Sequence, residues 1–196
     1  ILNKQLQNLK YMSPLQAIQL KLNLPRETIT GREMGSILHG VLIEKIAAID
    51  ADYIAQIHDA SSSPRPFTQN VEKYEDDGLY WRITSLHTAF SSRLTQWLSQ
   101  MPTTIYIRQL EQEIEVQLVK TDFSCDYATL VENIFVKNVP PRRLQFRFCT
   151  PTAFRAGQES RYILFPEPRL LWQNALHKWA VFCPGYRLGD ATLATE

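Results

Sequence analysis

His58 and Arg65 are the two side chains whose types and spacing best suit chemistry. His58 stands beside Asp59 at the end of a short amphipathic stretch. A Ser61-Ser62-Ser63-Pro64 loop separates it from Arg65. An imidazole titrates near neutrality, so it can take or give a proton as general acid–base catalysis requires. A guanidinium keeps its charge and can stabilise negative charge developing on a phosphorus centre. The other histidines differ in context. His39 lies in an apolar stretch on one face with Ile43 and Ile46; that spacing favours a buried structural role, with proton transfer as the second reading. His87 falls between a strand pattern and a helix pattern, where capping or surface roles are the default. His177 sits between Leu176 and Lys178 in an amphipathic stretch and has little to work with.

Other chemistries find no foothold. The sequence has no GxGxxG and no P-loop, and Ser91-Ser92 and Ser61-Ser62-Ser63 stand in no nucleophile-elbow context. Cys125, Cys149 and Cys183 are far apart and odd in number, without CxxC or CxxH spacing. That argues against a zinc site or a disulfide framework, and for a reducing compartment. The acidic run Glu75-Asp76-Asp77 could hold a hard cation but reads as a solvated turn. No metal and no cofactor are expected. No run approaches the ~18 apolar residues of a membrane helix, and no basic-then-apolar leader opens the chain. The sequence reads as a soluble cytoplasmic protein.

Charge is unevenly distributed. Residues 137–187 hold nine Lys or Arg against the acids Glu159 and Glu167, a balance of +7; residues 1–136 hold twelve against sixteen, or −4. The overall +1 therefore hides a basic segment joined to a mildly acidic one. A cationic surface interleaved with Phe, Tyr and Trp suits single-stranded or hairpin nucleic acid, because cations neutralise phosphates and aromatic faces stack bases. The competing reading is core aromatics beneath solvated arginines. Arg142, Arg143, Arg147, Arg155 and Arg161 are the candidate phosphate contacts.

These residues need a scaffold. Residues 15–22 alternate as a strand. Thr30-Gly31-Arg32-Glu33 has capping-box spacing ahead of Met34, Ile37, Leu38, Val41, Leu42 and Ile46, which recur at helical spacing. Asp50 can cap a second, shorter helix. Residues 67–74 and 79–86 read as a hairpin around Glu75-Asp76-Asp77-Gly78. A helix with Phe90, Leu94, Trp97 and Leu98 inward follows, then strands at 104–107 and 113–120. This is a ferredoxin-like (RRM-like) βαββαβ order in an α+β chain of 196 residues. The expected division is an extension at 1–14, a ferredoxin-like domain at 15–136, and at 142–196 an incomplete second ferredoxin-like unit. In that second unit residues 144–150 would form a strand with Phe146 and Phe148 inward, and residues 170–182 a helix.

The segment Phe148-Cys149-Thr150-Pro151-Thr152-Ala153-Phe154-Arg155, followed by Phe165-Pro166-Glu167-Pro168 and a Leu- and Trp-bearing helix, resembles the C-terminal signature of the CRISPR-associated repeat-processing endoribonucleases of the RAMP superfamily. An earlier block is similar in the same order: Gly35-Ser36-Ile37-Leu38-His39-Gly40, then Ile57-His58-Asp59, then Arg65-Pro66-Phe67-Thr68. The resemblance implies metal-independent cleavage within CRISPR repeat RNA by attack of a 2′-hydroxyl, giving 2′,3′-cyclic phosphate and 5′-hydroxyl ends. It carries the catalytic role to His58 and to Arg65, with His39 held as a further catalytic candidate. Some family members use a Tyr in the first helix; Ile43 stands at the best match. Repeat RNA is the implied partner, with other CRISPR effector subunits and a second copy as further ones. Family members end in a glycine-rich loop that contacts RNA, and nothing like it is found here. The alternative expectation is therefore a non-catalytic or fragmentary relative that binds repeat RNA or scaffolds a guide complex.

Overall fold

A computed structural model of the chain describes residues 14–24, 34–59, 64–75, 78–139, 141, 143–148, 154–156, 161–163, 165 and 167–188. The Thr30-Gly31-Arg32-Glu33 cap, the Asp76-Asp77 turn tip, Arg142 and Cys149 lie outside them. The chain divides into two compact units, Ile1–Asn138 and Val139–Glu196.

In the first unit the elements are β1 (Leu15–Leu22), α1 (Met34–Ala47), α2 (Ala51–Asp59), β2 (Phe67–Glu75), β3 (Gly78–Ser85), α3 (Thr88–Ser99), β4 (Thr104–Ile107) and β5 (Gln112–Cys125). They build a five-stranded antiparallel sheet in the order β2-β3-β1-β5-β4. The run β2-β3-β1-β5 is the ferredoxin-like arrangement. β4 is an addition, joined to β5 through a short turn in which Glu111 takes left-handed backbone angles (φ 52°) and pairing beyond it along the outer edge.

The helices close over one face because their apolar residues fall on one stripe. Met34, Ile37, Leu38, Val41, Leu42 and Ile46 of α1 are all buried, as are Phe90, Leu94, Trp97 and Leu98 of α3. They meet Ile18, Leu20 and Leu22 of β1, and Leu79, Trp81 and Ile83 of β3, in a single core. Asp50 caps α2, its Oδ1 accepting from the Tyr53 amide at 2.9 Å, and His87 caps α3, its Nδ1 accepting from the Ala89 amide at 3.3 Å. Helix capping of this kind satisfies amides that have no partner within the helix.

The opposite face of the sheet carries charges that compensate one another. Arg82 on β3 bridges Glu72 on β2 and Asp122 on β5; Lys120 reaches Asp122 at 2.7 Å; and the buried Gln19 amide donates to Glu72.

Two differences from the sequence expectation have physical causes. β5 runs to Cys125 rather than Lys120, because β1 supplies a pairing partner as far as Leu15↔Cys125, with two register shifts absorbing the irregular residues. Residues 143–148 adopt no strand, so the expected strand does not appear among the described residues there. Alternation of side chains makes a strand only where a neighbour offers a ladder. Phe146 and Phe148 are about half exposed rather than core; Phe146 meets the Trp172 edge with ring centres 5.9 Å apart.

After β5 comes α4 (Tyr127–Val131), which continues as one wider π-type turn over Glu132–Val136. The second unit contains β6 (Phe154–Ala156) paired with β7 (Arg161–Ile163), then α5 (Pro168–Phe182), which opens on a proline as a helix readily does. A short hairpin followed by a helix is consistent with an incomplete second ferredoxin-like repeat. No helix among the described residues is long and apolar enough to cross a membrane.

Candidate active site

α1 delivers His39 at the margin of its buried stripe. Leu38 and Leu42 face the core, so the next residue along is turned to the stripe's edge and half-buried. β2 begins immediately after the segment that carries Arg65, and it lies against α1. As a result Arg65, 26 residues away in sequence, brings its Nη1 to 2.5 Å from His39 Nε2. Phe67, the first residue of β2 and itself buried, lies flat against the imidazole, with ring centres 5.7 Å apart and planes 21° apart. Phe90 of α3 stacks on the far side of Phe67 at 4.6 Å. Phe67 thus stacks with both His39 and Phe90, and aromatic stacks of this kind fix ring orientation.

The start of α1 is held as well. Gln69 of β2 donates from Nε2 to the Gly35 carbonyl at 2.8 Å and accepts from Trp81 Nε1 at 2.7 Å. This clasp fixes the helix one turn before His39 against the sheet.

Burial, first, and then the positive charges of Arg65 and His58, hold the His39 imidazole below its ordinary value of 6.5. His39 is therefore neutral at physiological pH. His58, at the end of α2, is exposed and close enough for its charge to act on His39. Arg65 and His58 thus both act on the His39 imidazole, Arg65 by direct contact. The sequence alone ranked His58 and Arg65 above His39; in the structure His39 is the residue that Arg65 contacts and on which the charges of both act. Phe67 and Gln69 escaped sequence reading. Phe67 read only as a strand start, and nothing in the local pattern ties Gln69 to Gly35.

The candidate phosphate contacts are distributed differently. Arg143 and Arg147 are exposed on the segment 143–148. Arg155 stands opposite Tyr162, and Arg161 opposite Ala156, in the β6–β7 hairpin. Arg142 lies outside the described residues. Among the described residues no cluster of three or more His, Cys, Asp or Glu could hold a metal ion.

Fold and site define a ferredoxin-like α+β protein with a His39–Arg65 contact in its first unit and a basic segment at 137–187. The comparisons with known proteins narrow this further. Residues 146–195 match the family model of the CRISPR-associated endoribonuclease Cas6. Over 168 residues, 86% of this chain, the sequence is 25% identical to proteins named CRISPR-associated endoribonuclease Cas6 from two strains of Mycobacterium tuberculosis. The chain spans about half of their length, 51%. A solved Cas6 product complex superposes with a TM-score of 0.65 at 22% identity, covering 93% of this chain and 70% of that one, which establishes the fold. The family model and the curated relatives support the Cas6-type CRISPR endoribonuclease family, and the solved structure supports the fold.

Proposed function

We propose that this chain belongs to a CRISPR precursor-RNA processing endoribonuclease that cuts within repeat RNA, with its first unit supplying the chemistry. The observation that carries the reading is the His39–Arg65 contact with His58 beside it. A half-buried imidazole kept neutral is suited to take a proton. In this reading His39 Nε2 removes the proton of the ribose 2′-hydroxyl, and that oxygen attacks the adjacent phosphorus. The bond to the 5′-oxygen breaks, and His58 in its protonated form donates a proton to the leaving oxygen. Arg65 stabilises the negative charge on the non-bridging oxygens. The products are a 2′,3′-cyclic phosphate and a 5′-hydroxyl. The nucleophile is internal to the RNA, so the scheme needs no metal-bound water. Arg142, Arg143, Arg147, Arg155 and Arg161 would hold the RNA backbone.

A second reading is a relative that binds repeat RNA without cutting it. It is favoured by Ile43, which stands where some family members carry a Tyr and packs against the core with no hydroxyl to offer.

One assay separates the two. The protein is incubated in EDTA with repeat RNA, and with the same RNA carrying a 2′-deoxy substitution at the scissile nucleotide. Cleavage of the first to a cyclic phosphate, with the second bound but intact, supports the nuclease. Binding of both without cleavage supports the second reading, and cleavage of the deoxy RNA would contradict the proposed nucleophile.

A further inference from the structure

We propose that Arg65 is a phosphodiester-recognition group whose resting partner is the His39 lone pair: without RNA its guanidinium occupies His39 Nε2, and an arriving phosphate draws it away and leaves that nitrogen free to accept a proton. This rests on the reading of the site as a phosphodiester-cleaving one.

The chemistry of the two side chains fixes the direction of the contact. A guanidinium has only donors and does not lose its proton, so at 2.5 Å His39 Nε2 must be the acceptor. The imidazole is then neutral with its proton on Nδ1, and Nε2 carries its single basic lone pair. While Arg65 uses that lone pair, His39 cannot serve as a base through Nε2. The arrangement is a mask as well as a contact.

A phosphate is the better partner for the guanidinium. The imidazole is a neutral acceptor with one site, whereas a phosphodiester is anionic and offers two oxygens to the planar fork of Arg. Charge-assisted hydrogen bonds are roughly twice as strong as neutral ones. Arg65 is exposed, on the short extended segment before β2, and among the described residues no carboxylate pairs with it. The imidazole, by contrast, is held from behind by Phe67 and Phe90, so Arg65 can leave without the ring following it. The charged groups acting on His39 are Arg65 and His58, and both hold its proton affinity down. Transfer of Arg65 to an anion removes one of them, so the same event that uncovers the lone pair makes it more basic.

The test is NMR titration of the His39 imidazole nitrogens, assigned by loss of signal in His39→Gln, in wild type and in Arg65→Gln. The probes are inorganic phosphate and repeat RNA carrying a 2′-deoxy scissile nucleotide. Arg65 is exposed, so its substitution leaves the core intact. In free wild type the proton should reside on Nδ1 and the midpoint should lie below 6.5. Either probe should raise that midpoint by roughly half a pH unit. In Arg65→Gln the midpoint should start higher and the probe-induced rise should be lost. A midpoint and tautomer identical in the two free proteins, or a rise that persists undiminished in Arg65→Gln, would overturn the proposal. The two readings fail separately. An Arg65-dependent rise in a protein that does not cut RNA supports the mask and removes the nuclease. Cutting without that rise leaves the nuclease and removes the mask.

Discussion

Residues 18–118 and the residues beyond 139 use the same kinds of side chain for different ends. In the first unit Trp81, Trp97, Phe67 and Phe90 are buried, and they form the core together with the β1 and α1 aliphatics. In the second, the described Phe146, Phe148 and Phe165 are exposed, no residue of α5 is fully buried, and Cys183 is the single buried apolar residue among those described. Charge follows the same division. The first unit pairs charges internally: Arg82 with Glu72 and Asp122, Arg93 with Asp50, Lys120 with Asp122. Residues 137–187 carry nine cations against two acids and cannot pair them all within the segment. A packed unit whose charges pair internally can hold an imidazole in fixed orientation beside a guanidinium, as proton transfer demands. A segment with surplus cations and exposed aromatics can follow a flexible polyanion, which binding demands. The contrast matches the proposed division of roles, with chemistry in the first unit and grip in the second.

The contrast can be broken most visibly through stability. Trp81→Ala removes a fully buried indole that packs on Trp97 and donates to Gln69. It should cost about 3–5 kcal/mol in urea unfolding. Trp172→Ala, which loses an edge contact with a half-exposed Phe146, should cost about 1 kcal/mol. Equal losses would mean that the second unit is packed as firmly as the first.

The division of charge is sharpened by salt dependence. Each phosphate contact on a single strand contributes about −0.7 to the slope of log affinity against log salt. Arg155→Ala with Arg161→Ala should flatten that slope by about 1 to 2 and weaken different RNA sequences about equally. An unchanged slope would mean the basic segment is solvated surface.

The smallest expected effect is on pH. The native state holds His39 below 6.5 by burial and by the charges of Arg65 and His58, so between the folded value and 6.5 the unfolded chain binds more protons. The contribution of His39 to stability is present in full above 6.5 and is lost as pH falls through the folded value. His39→Gln should reduce the acid-side fall in melting temperature over that window and leave the region above pH 7 unchanged. An identical acid limb in the variant would show that His39 is not depressed.

Much of the first unit was legible because its signals are local. The α1 stripe, the 67–85 hairpin and the Asp50 and His87 caps depend on neighbours within a turn or two of chain. What was not legible depends on partners. β5 outruns its own alternation because β1 pairs with it to the end, and residues 143–148 alternate well but form no strand among the described residues. The candidate site failed to announce itself for the same reason. His39 read as a structural residue because its sequence neighbours are apolar. What marks it as more is Arg65, brought 26 residues back by the packing of β2 against α1, and Phe67, turned flat against its ring. Neither relation has a period that a sequence can display.

The assignment of roles to the two units meets its most direct test in one RNA measured two ways. Single-turnover cleavage rate and binding affinity are determined on the same repeat RNA for His39→Ala, His58→Ala, and the Arg155→Ala/Arg161→Ala double variant. Each histidine variant should lose on the order of 10²–10⁴ in rate with affinity nearly unchanged, while the arginine variant should lose affinity and, at saturating protein, cut at nearly the original rate. Histidine variants that cut at the wild-type rate, or that lose binding in step with cleavage, would contradict the placement of chemistry at His39 and His58.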